Sequence, residues 1–378
     1  MLNKITTLLG SLLATLFLVG LATTLTRSSM IGFWAVLYLL SRDTLAHLDL
    51  PAGQLFSPQD AESKEVSKLA VAALNKRLRA SAVNHEKLPW KERVLVLRET
   101  MDSFFAGAEI VSTLTAVDAG GVLAEWVTAP GVDGSRRLLY IHGGAFFAGS
   151  PKSHRVLTSK LSEITNSAVL AIDYRLTPEH SRIACVDDCR ASYDWMLKNS
   201  PEGVDNLAPT AVFVAGDSAG GNLTLSLLNW IRDNQRRAPN AALALSPVTD
   251  SRFTSPSIRT NLDSDVMLKP LAKRLSWLPG FLFSLGGRYM SGRSAADPVM
   301  SPLLADLSGL PPILVQCSEC EILRDDGRRY VNKAVLAGTD ASLQRWDNVP
   351  HVWQIFYPDL PEAAEAFEEI RAFFKRHS

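Results

Sequence analysis

The chain has little cysteine and no excess of charge of either sign. Its 378 residues hold 39 basic and 39 acidic side chains, so nothing marks it for nucleic acid or another charge-driven partner. Its 4 cysteines do not make a metal site. Cys317 and Cys320 form a C-x-x-C and Cys185 and Cys189 lie four apart, but no matching histidine pair accompanies them as a zinc site would need. All four read as buried thiols rather than metal ligands or redox groups. No internal repeat and no low-complexity stretch occurs. What remains is a globular composition with a large core, in a length that α/β folds often occupy as one unit.

The exception is the N-terminus. Residues 5–25 read ITTLLGSLLATLFLVGLATTL without a charge, between Lys4 and Arg27. At about 1.5 Å per helical residue this run is long enough to span a bilayer, which predicts a single-pass anchor. A cleaved signal peptide and an interfacial helix are the alternatives, the former weakened by a long apolar region with no clean A-x-A site after it. Residues 30–40 (MIGFWAVLYLL) are too short to span and, with Trp34 and Tyr38, suit an interfacial segment or a pocket lip. Lys4 on one flank and Arg27 and Arg42 on the other leave the membrane side open.

Residues 1–50 are thus expected to be anchor and linker, and 51–107 a helical cap segment. Within the latter, 57–106 reads helical: one helix starts at the capping-type Ser57-Pro58 and carries Leu69, Ala72, Ala73 and Leu74. A second has Val94, Leu95, Leu97 and Phe104 as candidate buried positions. From there the pattern changes to short β-rich runs at 109–117, 121–129, 137–141, 168–172, 211–215, 241–245, 312–317 and 341–346. Helix-length segments separate most of the later ones. That alternation predicts a mainly parallel sheet with helices on both faces, in a catalytic domain over 108–378. The first two runs, joined across 118–121, read as an antiparallel hairpin at one edge. Residues 250–293 interrupt the alternation with an apolar, helix-prone stretch holding Met267, Leu268, Leu271, Leu275, Trp277, Leu278, Phe281, Leu282 and Phe283, a natural lid.

Two glycine-rich turns carry chemistry. Gly216-Asp217-Ser218-Ala219-Gly220 follows an apolar strand and opens a helix. A nucleophile elbow needs small residues two before and two after the serine, because the turn is too tight for larger ones. It would present the Ser218 hydroxyl above the sheet with the positive helix end nearby. His142-Gly143-Gly144-Ala145 also follows a strand, and its unobstructed N–H groups suit an oxyanion hole: Gly143 and Gly144, with Ala219 completing it. His142 is assigned to ordering that loop. A base must follow the serine in chain order, which leaves His351 and the near-terminal His377, and the loop position of His351 makes it the base. For the acid, the segment after the 312–317 strand offers Glu319, Glu321, Asp325 and Asp326, among which spacing does not choose.

The motifs HGGA (142–145), DYRLTPEH (173–180) and GDSAGG (216–221) resemble those of the hormone-sensitive-lipase-type (bacterial family IV) esterases, with the similarity running over about 60–375. The resemblance implies an α/β-hydrolase fold and a serine carboxylesterase acting on short- to medium-chain esters, lactones or acetyl esters, with no metal or organic cofactor. Its acid position falls on Glu321, a glutamate where aspartate is usual, with Asp325 in reserve. The usual H-P-F-P-A is here His180-Ser181-Arg182-Ile183-Ala184, so a different helix start is expected. An amidase with the same triad is the enzymatic alternative. A ligand-binding receptor of the gibberellin-receptor type is disfavoured because those lose the catalytic histidine, whereas His351 is present. The expected partners are a small hydrophobic ester and, through the N-terminus, a membrane.

Overall fold

The computed structural model of the protein describes residues 43–81, 88–203, 207–275 and 292–378. The expected anchor at 5–25, the run at 30–40 and the lid residues Trp277, Leu278, Phe281, Leu282 and Phe283 lie outside the described residues. No helix among the described residues is long and apolar enough to cross a membrane. The chain divides into Met1–Thr44 and Leu45–Ser378, and the second unit carries the fold.

That unit is built on nine strands: β1 (Gln54–Phe56), β2 (Thr113–Asp118), β3 (Leu123–Thr128), β4 (Arg136–Ile141), β5 (Ala168–Ile172), β6 (Ala211–Asp217), β7 (Ala241–Leu245), β8 (Ile313–Ser318) and β9 (Ala341–Trp346). They form one sheet in the order β1-β9-β8-β7-β6-β4-β5-β3-β2. Pairing is parallel except where β3 joins β2 and β5. The expected hairpin is therefore β2–β3, although β2 begins at Thr113 rather than 109; Val111 is exposed and gains nothing from the sheet.

Alternation along the strands sorts the core into two layers. On β4, Leu139 and Ile141 face the helices Arg182–Met196 and Ser218–Asp233, through Cys185, Tyr193, Leu223 and Leu227. Leu138 and Tyr140 face the opposite side, where Arg155–Thr165 and Pro361–Arg376 supply Leu157, Leu161, Phe367 and Phe374. Strands covered on both faces read as unbroken apolar runs, as 168–172, 211–215 and 241–245 do.

The segment before the sheet differs in detail from its helical expectation. Gln54–Phe56 adds an edge strand parallel to β9, with Phe56 stacked on Trp346 at 4.4 Å. Three residues are too few to show a period of two. The first helix starts at Ala61, not Ser57, because Asp60 supplies the cap by accepting from Ser63 N–H at 2.7 Å. Val94 is buried in the second helix, but Leu95 is 58% exposed. Arg98 on that helix donates to the Phe147 and Thr177 carbonyls at 2.8 and 3.0 Å, so the helix is tied to the loops after β4 and β5.

The chain before β1 is tied down electrostatically. The fully buried Arg329 grips Asp49 through Nε at 2.8 Å and Nη2 at 2.7 Å. Removing Asp49 takes away the carboxylate that Arg329 Nε and Nη2 hold. Asp49→Ala should therefore lower unfolding free energy by roughly 3 kcal/mol in urea titration. A change within about 0.5 kcal/mol, the range of ordinary surface substitutions, would contradict the account.

Candidate active site

The strand β6 ends at Asp217 and the next helix begins at Ser218, which takes a left-handed φ of +52°. A side chain at that φ is strained by about 1–3 kcal/mol, and only the surrounding packing holds it. Glycine makes this packing possible. A Cβ on Gly220 would lie 2.0 Å from the Ile141 carbonyl oxygen, and one on Gly216 would lie 2.6 Å from that of Gly220. The sequence requirement for small residues two before and two after the serine is thus a close approach of the helix start to the end of β4 and to the end of β6. Ser218 is largely buried, at 9% exposure.

His351 sits in the loop after β9, buried, and its Nε2 lies 2.9 Å from Ser218 Oγ. Its Nδ1 meets Glu321 Oε2 in a short hydrogen bond. The other Glu321 oxygen accepts from Ser318 N–H at 2.8 Å, at the end of β8, so the carboxylate is oriented from both sides. Ser318 Oγ in turn donates to the Val349 carbonyl at 2.5 Å, fixing the histidine loop to the same strand. Burial alone would push the His351 pKa down, but the hydrogen bond and charge of Glu321 outweigh it and hold the imidazole above its ordinary value.

The other three carboxylates have other partners. Glu319 pairs with Arg345 at 2.9 Å and Arg324 at 3.5 Å. Asp325 accepts from Ser257 N–H at 3.0 Å and pairs with Arg324 and Arg328. Asp326 accepts from Thr249 and Asp250 N–H at 2.7 and 3.0 Å, and burial first, then the Asp250 charge, push its pKa up to about 7. His377 faces Asp340 at 4.0 Å. The structure joins Ser218, His351 and Glu321 and leaves the reserve Asp325 outside the group.

The glycine loop requires one correction. Gly143, expected as an oxyanion donor, directs its N–H to Asp217 Oδ1 at 2.9 Å, so it anchors the loop instead. The Gly144 and Ala145 N–H groups meet no acceptor among the described residues. Ala219, at the helix start, has an N–H of the kind that helices leave open. His142 is buried and stacks on Tyr174 at 4.3 Å, and its Nδ1 bonds the Gly143 carbonyl at 2.7 Å. Burial lowers its pKa to about 3, so it is neutral and orders the loop as expected.

Two features had no clear signal in sequence. Asp217 accepts from Tyr140 OH at 2.5 Å as well as from Gly143, and His154 Nε2 stands 3.4 Å from it. Burial would raise the Asp217 pKa, but the charge of His154 and the hydrogen bonds of His154 and Tyr140 hold it below the usual carboxylate value. The second is Arg182, at the helix start where the motif departs from H-P-F-P-A. Ser181 caps that helix, accepting from Ala184 N–H at 3.4 Å, and Arg182 lies over the Phe146 ring at 3.9 Å while donating to Ser251, Asn222 and the Met300 carbonyl. It joins the oxyanion loop to the elbow helix one turn beyond Ser218. No group of residues that could hold a metal ion occurs among those described, and Cys185, Cys189 and Cys317 are buried free thiols, with Cys320 half-buried.

A family profile described as alpha/beta hydrolase fold matches residues 138–355. An acetyl-hydrolase of Streptomyces hygroscopicus is 37% identical over 259 residues, covering 68% of this chain and 81% of its own. The carboxylesterase/phospholipase LipF of Mycobacterium tuberculosis is 32% identical over 265 residues, covering 69% and 68%. A solved esterase from the bacterial hormone-sensitive lipase family superposes with a TM-score of 0.71 at 33% identity, over 82% of this chain and 98% of that one. Fold, motifs and relatives agree: the chain belongs to the hormone-sensitive-lipase-type esterases of the α/β-hydrolase fold and is a carboxylic ester hydrolase.

Proposed function

We propose that the enzyme hydrolyses short- to medium-chain carboxylic esters, acetyl esters and lactones included, by two-step acyl transfer at Ser218. One observation carries this assignment: His351 bridges Ser218 Oγ, at 2.9 Å from Nε2, and the Glu321 carboxylate at Nδ1. His351 takes the serine proton as the oxygen attacks the carbonyl, then returns it to the leaving alcohol, forming the acyl-enzyme. Water activated by the same nitrogen releases the acid. Glu321 keeps the tautomer that leaves Nε2 free and stabilises the imidazolium. Gly144, Ala145 and Ala219 N–H groups receive the oxyanion.

The domain assignment carries over: residues 1–50 as anchor and linker, with 5–25 holding the enzyme to a membrane, 51–107 as cap, and 108–378 as the catalytic domain with a lid at about 250–293. The described base of that lid supports a seat near the acid loop, since Asp265 accepts from Ile322 N–H at 2.9 Å. The relatives, an acetyl-hydrolase and a carboxylesterase/phospholipase, favour esters over amides.

Ser218→Ala should cut hydrolysis of p-nitrophenyl butanoate by at least about 10⁴-fold, as loss of a triad nucleophile does; unchanged turnover would remove this serine from the mechanism. Glu321→Gln should lower kcat by roughly 10⁴-fold through the wrong tautomer. Asp325→Asn should instead leave kcat near the wild type and lower the denaturation midpoint; the reverse pattern would make Asp325 the acid. The base acts as neutral imidazole and its pKa is raised, so kcat/KM should fall as pH drops through a midpoint above 6.5. An acid limb lying below that value would contradict the Glu321 pairing.

A further inference from the structure

We propose that His154 is a positioning residue that works as a doubly protonated imidazolium, clamping Asp217 and the oxyanion loop to the nucleophile turn. The proposal rests on the assignment of Ser218 as nucleophile and Gly144 and Ala145 as oxyanion donors, and adds a group with no contact to substrate.

The proton count comes from geometry. Nε2 of His154 stands 3.4 Å from the Asp217 carboxylate, which is only an acceptor. Nδ1 lies 3.1 Å from the Ser150 carbonyl, also only an acceptor, and 2.9 Å from Ser153 Oγ. The Ser153 hydroxyl also lies 2.9 Å from the Ser150 carbonyl, and with its proton directed there its oxygen accepts from the ring. In that arrangement both ring nitrogens face acceptors, which is what a doubly protonated ring satisfies.

The charged groups around the ring agree with a cation. Tyr140 and His142 are its aromatic neighbours at 6.0 and 5.5 Å, and His142 stays neutral, its pKa near 3. Asp102, on the second cap helix, accepts from Ser150 Oγ at 2.5 Å. Arg155, next in the chain, is paired with Glu125 at 2.7 Å. Burial disfavours the charged ring, but Asp217 first, then the Ser150 carbonyl and Asp102, outweigh it and raise the His154 pKa.

The connectivity gives this pair its function. Asp217 immediately precedes Ser218 and holds Gly143 N–H, one residue before the proposed donors Gly144 and Ala145. His154 holds the far end of the same loop at Ser150, and through Ser150 the cap helix. A neutral ring would weaken the hold on one end or the other, letting the donors drift from the oxyanion without moving Ser218 or His351. That cost should appear in kcat and not in KM. As pH rises through the raised His154 pKa the clamp should loosen, giving kcat an alkaline limb.

The test is the pH profile of kcat and KM for the full chain and for His154→Gln, with reactive serine counted by fluorophosphonate titration so that misfolded protein is not scored. The variant should lose roughly 10- to 100-fold in kcat, less than the loss of a whole oxyanion donor, with KM changed less than about threefold and the alkaline limb gone. Ring nitrogen-15 NMR of the unaltered protein is the second arm and needs neither folding of the variant nor turnover. His154 should show two protonated nitrogens at neutral pH and titrate with the alkaline limb. A neutral His154 ring, or a variant that keeps wild-type kcat and the same limb, would overturn the proposal. Loss of turnover dependence on Ser218 in the unaltered protein would instead sink the triad assignment, leaving the NMR result to judge the ion pair alone.

Discussion

The nucleophile turn depends on one backbone contact, the approach of Gly220 to the carbonyls of Ile141 and His142. Any side chain there would separate the elbow helix from the end of β4. The oxyanion loop would then leave the serine that it serves. The same contact explains why Ser218 tolerates a left-handed φ: the helix behind it is wedged and cannot relax. The chemistry is thus set by how closely two backbones pack, and side chains refine a geometry already fixed.

Around that contact the charged groups divide into working and bracing sets. Glu321 and Asp217 are both buried carboxylates, yet each faces a histidine in a different role. Glu321 touches the imidazole that faces Ser218, the one proposed to move a proton. Asp217 faces one whose protons are held by fixed acceptors, and it ties loop to turn. Glu319, Asp325 and Asp326 brace the segment after β8 and the one after β7 through arginines, Ser257 N–H and the Thr249 and Asp250 N–H groups. Arg182 extends the bracing to the elbow helix from a position where the family's motif has an apolar residue.

Much of this was legible in sequence because the fold imposes local rules. Parallel strands buried on both faces left apolar runs at β5 to β8, and the glycine spacing around Ser218 records a steric demand. Chain order left only His351 and the near-terminal His377, and the loop position of His351 decided between them. The acid needed the family resemblance, because four carboxylates within eight residues look alike until partners are known. The Gly143 assignment failed for a physical reason: an N–H after a histidine-glycine motif looks free in sequence, but its acceptor, Asp217, comes from another strand end. His154 was invisible for the same reason, since its partner lies 63 positions later. Gln54–Phe56 escaped because an edge strand of three residues has no period to read.

The central claim is that the acyl group passes through the Ser218 oxygen. Rapid quenching of the full chain during turnover of p-nitrophenyl butanoate, followed by proteolysis and mass spectrometry, tests it directly. A butanoyl adduct confined to the peptide carrying Ser218, and absent in Ser218→Ala, is the predicted result. An adduct on another side chain, or undiminished turnover by Ser218→Ala, would contradict it.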